Sequence, residues 1–204
     1  VVYKILVTGF EPLGCHTENS SWAVAEKVSA LGMPGVSVEK MPVSFLRVSE
    51  ALHKAIEKHN PEIIIMLGQS TITNCIKLER VALNMMDSVN GDNDRYRPDE
   101  EPIYTGENNA LFTSLSIKNL HRAIAEKNIS VKISNSCGLY VCNRLYYEAL
   151  KTCLNSSMQA IFVHLPLHEG HPSADSNTPK MPLDVMTKAI LTIINEINGS
   201  SKEL

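Results

Sequence analysis

The sequence predicts an α/β fold, a three-layer α/β/α sandwich around a mostly parallel central sheet. Three observations carry this. Short apolar runs alternate with helix-patterned segments of about 10 to 15 residues along the whole chain. The clearest run, Ile63–Leu67, is apolar throughout, as in a strand covered on both faces. No repeat, linker or low-complexity stretch interrupts the alternation, so the 204 residues read as one domain (1–204), long enough for a substantial core.

Taken in order, Tyr3–Val7 reads as a buried strand that ends at Thr8-Gly9 and feeds a loop. Ser20 can cap a helix to about Leu31, stopped by Gly32 and Gly35. Val36–Val43 reads as a strand. Ser44 then caps a helix with apolar positions Phe45, Val48, Leu52 and Ile56, which Asn60-Pro61 ends. After Ile63–Leu67, the segment Ile76–Leu83 alternates, with Ile76, Leu78, Arg80 and Ala82 opposed to Lys77, Glu79, Val81 and Leu83. From Asn84 to Asn109 the chain is polar and rich in Asp, Asn and Pro. It is the longest irregular region expected, and loops of that length are often functional or mobile. A helix over Ile117–Lys127, a strand over Val131–Ser134, a helix with Val141, Leu145 and Ala149 on one face, and a strand over Ala160–Leu165 follow. A polar loop leads to a last helix, Leu183–Ile197, and a short frayed tail. Ligands of such folds collect outside the carboxyl ends of strands, so the loops after Val7, Leu67, Ser134 and Leu165 are expected to share one rim.

Composition excludes several classes. A net charge of −3 gives no footprint for nucleic acid or for a membrane surface. No apolar run approaches the roughly 20 residues of a transmembrane helix. The opening VVYKILVTGF is too short and strand-like for a signal peptide. Cys15, Cys75, Cys137, Cys142 and Cys153 are odd in number and form no C-x-x-C pair. Reduced thiols in a cytoplasm are therefore expected.

Chemistry concentrates in Val131–Tyr147, VKISNSCGLYVCNRLYY, where strand, tight turn and helix succeed one another and Cys142 falls at the helix start. Free backbone N–H groups and the positive end of the helix dipole favour a thiolate there. The same N–H groups can donate to an oxyanion forming beside the sulfur. Taken singly, a buried structural cysteine is the commoner outcome. His164, at the end of a strand in FVHLP, could take the thiol proton and return it to a leaving amine, although an isolated histidine is more often structural. Glu79, in KLERVALN, is the best carboxylate to orient that imidazole, against an ordinary ion pair with a surface lysine or Arg80. Gly9 and Gly14 resemble half of a phosphate loop, but Cys15-His16 stands where Lys-Ser/Thr would be needed. His164, His168, His171, Cys137 and Cys142 are soft ligands, but their spacing is not that of a helical zinc pair.

With these residues in view, the chain resembles the pyroglutamyl peptidase I (pyrrolidone-carboxylate peptidase) family. The stretches that carry the resemblance are LVTGFEPLG, NSSWAVA, PEIIIMLGQ, ERVALN, GLYVCN and FVHLP, in order across nearly the whole chain. The resemblance implies a cysteine peptidase that removes N-terminal pyroglutamate (5-oxoproline) from small peptides so blocked, through a Glu–Cys–His triad and a thioester. It places the nucleophile on Cys142, the base on His164 and the orienting carboxylate on Glu79. It also implies no metal and no cofactor, a cytosolic location and a homo-oligomer, tetramer or dimer. Pyroglutamate has no α-ammonium, so its pocket should be uncharged, with an apolar wall for the ring and a hydrogen-bond match for the lactam. The resemblance places Phe10 against the ring, Leu13 at a position the family usually fills with Phe, and Gln69, Tyr140 and Val141 close by.

Other positions depart from the family. Thr71-Ile72-Thr73 replaces a common Gly-Gly-Arg, Val89 stands where an oxyanion-assisting Arg is expected, and Val43 stands for a pocket Thr. Leu167-His168-Glu169 replaces an aromatic and a Pro-Glu pair. Two alternatives therefore remain beside the peptidase: a cysteine amidohydrolase for another small acyl group or lactam, and a non-catalytic homologue acting as a binding protein.

Overall fold

The structure is a computed structural model and describes residues 2–199. In chain order the elements are β1 (Ile5–Phe10), α1 (Ser20–Ala30), β2 (Val36–Met41), α2 (Val48–His59), β3 (Ile63–Gln69), β4 (Ile76–Glu79), β5 (Val81–Leu83), β6 (Ala110–Phe112), α3 (Ile117–Ala125), β7 (Val131–Ser134), α4 (Val141–Cys153), β8 (Gln159–Leu165), β9 (Leu167–His168), β10 (Lys180–Met181) and α5 (Leu183–Gly199). Six strands form the central sheet in the order β2-β1-β3-β8-β4-β7. Strands β2, β1, β3 and β8 run parallel.

Side chains alternate across each strand, and the two faces bury different cores. Ile5, Val7, Ile63, Ile65, Leu67, Ile161, Val163 and Leu165 pack on α1, α3 and α5. Leu6, Ile64, Met66, Ala160 and Phe162 pack on α2 and α4. This is the expected three-layer sandwich. The same alternation sets the site: Ile76 and Leu78 face the first core, so Glu79 faces α4. His164, two residues after Phe162, faces α4 as well.

Four sequence expectations change. First, β7 does not end on the rim shared by β1, β3 and β8. Strand β4 pairs antiparallel with β8, and β7 runs parallel to β4. The cause is connection length: a parallel crossover takes about a dozen residues or more, and Ser70–Cys75 is too short for one. Second, the alternating run Ile76–Leu83 breaks at Arg80, and β5 leaves to pair with β6. Third, β2 stops at Met41 and α2 starts only at Val48, with a turn over Phe45–Arg47 between them. Ser44 still serves that turn, its Oγ accepting from Arg47 N at 3.1 Å. Fourth, α1 is capped by Asn19, whose side chain accepts from Ser21 N, rather than by Ser20. The expected C-terminal tail lies outside the described residues.

Gly9 belongs to packing, not to phosphate. A Cβ there would sit 2.6 Å from Ser21 O, so α1 lies directly on the backbone of β1. The irregular stretch 84–109 is tied down along its length. Asn84 N donates to Asn109 O, Asn84 Nδ2 donates to Tyr104 O, and Met86 bridges to Glu101.

Candidate active site

Helix α4 carries Cys142 one residue past its start. Its first intrahelical bond to the cap runs from Arg144 N to Tyr140 O, and Tyr140 makes no side-chain cap. The N–H groups of Val141, Cys142 and Asn143 are thus outside the helical ladder. The loop after β7, turning at Gly138 with φ 78°, returns the chain so that α4 begins over β3 and β8. There the sulfur meets Gly68. A Cβ on Gly68 would lie 3.1 Å from Cys142 Sγ and 2.6 Å from the Phe162 ring, so only the bare backbone admits the thiol.

His164 is cross-strand neighbour to Gly68. Its Nδ1 is 2.8 Å from Glu79 Oε1, and its ring hydrogen-bonds Cys142. Burial alone would lower the His164 pKa. The hydrogen bonds to Cys142 and Glu79 outweigh it and raise the value to about 9, so the imidazolium is the favoured form near neutrality. Glu79 is 1% exposed. Its neighbour in space, Tyr146, donates its hydroxyl to Glu79 O at 2.9 Å, which fixes the end of β4. Glu79 pairs with the imidazole rather than with Arg80 or a surface lysine. The Cys137 thiol lies near this cluster but is pushed well up by burial, then by Cys142 and Glu79, and is held protonated.

A cavity of about 340 Å³ opens beside the sulfur. Its walls come from the ends of β1 and β3, the loop after β1, the turn after β2 and the first residues of α4. Phe10, Leu13, Gln69, Tyr140 and Val141, the residues the resemblance placed around the acyl group, all line it with Cys142. None of its lining residues carries a charge. Gln69 Oε1 accepts from Ser20 N at 2.7 Å, which leaves its amide N–H groups to face a ligand. The Tyr140 hydroxyl donates to Gly91 O at 2.9 Å, and burial, with Asp92 and Cys142 nearby, pushes its pKa up to about 12. Glu79 and His164 sit behind the sulfur and do not line the cavity.

The departures fall in different places. Val43, Thr71 and Ile72 line the cavity, whereas Thr73 is buried on Cys75 O. Val89 is 86% exposed and outside the lining, so no side chain replaces the expected arginine from that position. His168 and His171 pair with Glu18, through its carboxylate and its carbonyl. Sequence reasoning missed Asn19 and Ser70, which also line the cavity. Asn before two serines at a helix start was the available signal for Asn19.

A thiol at a helix start, hydrogen-bonded to a buried imidazole, is suited to acyl transfer, and with this fold it points to the class of cysteine hydrolases. Residues 3–199 match the family model for pyroglutamyl peptidase, and the chain belongs to that family. It is 38% identical over 195 residues to the pyrrolidone-carboxylate peptidase of Thermococcus onnurineus, covering 94% of this chain and 96% of that one. Among solved structures, it superposes on pyroglutamyl peptidase I from Bacillus amyloliquefaciens with a TM-score of 0.90 at 30% identity, over 96% and 95% of the two chains. It superposes equally on the pyrrolidone carboxyl peptidase of Thermococcus litoralis, TM-score 0.90 at 28% identity, over 99% and 96%.

Proposed function

We propose that this chain removes N-terminal pyroglutamate from small peptides, with Cys142 as nucleophile, His164 as acid and base, and Glu79 as the carboxylate that orients the imidazole. The observation that carries the reading is an imidazole bridging Cys142 and Glu79 beside a cavity without charged walls. A lactam ring with no ammonium fits such walls, whereas a free α-amino terminus would enter them unpaired.

The Cys142 sulfur attacks the carbonyl joining pyroglutamate to the next residue. The oxygen that becomes anionic is met by backbone N–H groups at the start of α4. The His164 imidazolium gives its proton to the departing amine, leaving a thioester. Neutral His164 then takes a proton from water, the hydroxide adds to the thioester, and free pyroglutamate leaves as the thiol is restored. Phe10 and Val141 supply apolar walls, with Leu13 and Tyr140, and Gln69 donates to the lactam carbonyl. No metal or cofactor enters this scheme.

Val43 and the exposed Val89 favour a second reading in part. With a hydroxyl lost from the wall and an arginine from the oxyanion side, a related small acyl group or lactam competes with pyroglutamate. We take residues 1–204 as one hydrolytic domain, because the sheet and both helical layers draw on segments from end to end. A cytoplasmic homo-oligomer, tetramer or dimer, is part of the proposal. All five cysteines are free, and no helix among the described residues is long and apolar enough to cross a membrane. Light scattering reads the assembly.

The test is release of dye from pyroglutamyl-coumarin amide beside a panel of other blocked N-termini. Wild type should cleave the pyroglutamyl compound best and Cys142→Ser should not cleave it. Preference for another blocked terminus would replace the acyl assignment, and activity surviving Cys142→Ser would remove the nucleophile. A wild type inert on the whole panel would favour the binding-protein reading.

A further inference from the structure

The walls that carry Leu13 and Val43 belong to separate stretches of chain, and a single residue of the 84–109 segment joins them, through its side chain to the first and its backbone N–H to the second. Asn93 Nδ2 donates to Pro12 O and to Glu11 Oε1, each at 3.0 Å. Asn93 Oδ1 accepts from Gly14 N at 2.8 Å, which holds the far side of Leu13 in a turn with φ 59°. Asn93 N donates to Val43 O at 3.0 Å, and Val43 N in turn donates to Glu11 Oε1 at 3.0 Å. Leu13 is thus gripped from both neighbours, and Val43 from both of its backbone groups.

Asn93 is itself held in place. The preceding residue, Asp92, is buried, and its carboxylate accepts from Phe45 N at 2.7 Å and from Asp94 N and Tyr96 N at 2.9 Å. Two residues before Asn93, Gly91 O receives the Tyr140 hydroxyl. The segment therefore reaches a third cavity wall from the same place.

We propose that Asn93 is a positioning residue that sets the width of the acyl pocket by clasping the Leu13 loop to the Val43 turn. Asn93 does not line the cavity and touches no reacting atom. Only an amide fits the role, because the side chain must donate to Glu11 and Pro12 while accepting from Gly14. The kinetic consequence rests on the pyroglutamyl reading above; the clasp does not.

The test compares wild type with Asn93→Ala and Asn93→Asp. The kinetic readout uses pyroglutamyl-coumarin amide. In Asn93→Ala, KM should rise about tenfold with kcat within about threefold, because a loosened wall weakens substrate and transition state alike. Alkylation of Cys142 by iodoacetamide, which needs no acyl pocket, should stay within about twofold. Hydrogen exchange at Gly14 N–H, whose acceptor is removed, should speed at least about tenfold. Asn93→Asp keeps the shape and the Gly14 acceptor but sets a carboxylate against Glu11. It too should raise KM, and it serves where the alanine variant does not fold.

Unchanged KM in both variants would overturn the proposal. So would a fall in Cys142 alkylation as large as the fall in kcat/KM, which would mark general disruption of the site. If wild type does not cleave pyroglutamyl amides, the acyl assignment falls. The Gly14 exchange rate then decides the clasp by itself, and exchange no faster in Asn93→Ala overturns it.

Discussion

Gly68→Ala is the sharpest probe of how the thiol is seated. The added Cβ would lie 2.6 Å from Phe162 Cζ, 2.7 Å from Cε1 and 3.1 Å from Cys142 Sγ. Ordinary carbon contacts lie near 3.5–4.0 Å, so about 1 Å must be absorbed. Phe162 is fully buried, with ring centroids of Tyr146 at 5.8 Å, Phe10 at 6.5 Å and His164 at 4.8 Å. Its ring cannot swing away without moving His164. Overpacking of this kind costs about 1–3 kcal/mol, which a domain of ordinary stability survives. Misplacing a reacting group by about 1 Å costs about a hundredfold in rate. Urea unfolding should therefore show a folded variant 1–3 kcal/mol weaker (about the overpacking figure), while kcat/KM on a pyroglutamyl amide falls about a hundredfold or more, mainly in kcat. Adding Phe162→Leu, which removes the ring the Cβ strikes, should recover part of the stability lost to Gly68→Ala. A folded Gly68→Ala enzyme within about threefold of wild-type kcat/KM would refute the seating argument.

Other consequences can be measured separately. His164 has its pKa raised from 6.5 to about 9, so its stabilising contribution is fully present below about pH 6.5 and is lost as pH climbs through about 9. Glu79→Gln removes one of the groups that raise it, so the His164 NMR titration should move down, and a titration that stays at about 9 would refute the pairing. Iodoacetamide near neutral pH should label Cys142 ahead of Cys75, Cys137 and Cys153, with exposed Cys15 as a reference. Burial raises Cys153 to about 11 and Cys137 well above the ordinary thiol range. Equal rates at Cys142 and Cys153 would argue against an activated thiol. Glu148 is buried, which raises its pKa, but hydrogen bonds from Arg144, Tyr104 and His53 outweigh burial and lower it to about 2. Its contribution is present above about pH 4.5 and lost as pH falls through about 2. Glu148→Ala strands Arg144, 11% exposed, and should cost about 3–5 kcal/mol by urea unfolding. A loss under about 1 kcal/mol would refute that.

The strands that are legible in the sequence are the continuous apolar ones. Ile63–Leu67 and Ala160–Val163 leave no polar face, and both lie mid-sheet where two helical layers cover them. Cys142, His164 and Glu79 could be singled out as candidates, because a helix-start thiol, a strand-end histidine and a strand carboxylate each need explaining, and the structure brings the three side chains into contact. The direction of β7 was not legible. The short Ser70–Cys75 connection reverses β4, but that β7 pairs with β4, and that β8 lies between β3 and β4, is settled only by contacts about 50 to 90 residues apart in the chain. Nor was the break at Arg80, because β4 and β5 share one uninterrupted alternation and only pairing with distant β6 separates them. The grip of Asp92 and Asn93 on Phe45, Val43 and the Leu13 loop was likewise hidden, since its partners lie far off in sequence and the residues themselves read as turn formers.

The same separation bears on where the expected departures from the family pattern fall. The proposed triad is mounted on core elements: Glu79 on β4, His164 on β8 and Cys142 on α4, with Phe162 and Gly68 packed against them. A change there disturbs both chemistry and core. Much of the cavity wall is mounted on connections, and the altered positions Leu13, Val43, Thr71 and Ile72 all belong to such stretches. Ile72 is 82% exposed and Leu13 39%, so neither exchange creates a core void. Surface exchanges of this kind usually shift stability by less than about 0.5 kcal/mol. Acyl specificity can therefore move while the reaction persists, provided the clasp around Leu13 and Val43 still holds whichever wall replaces the old one.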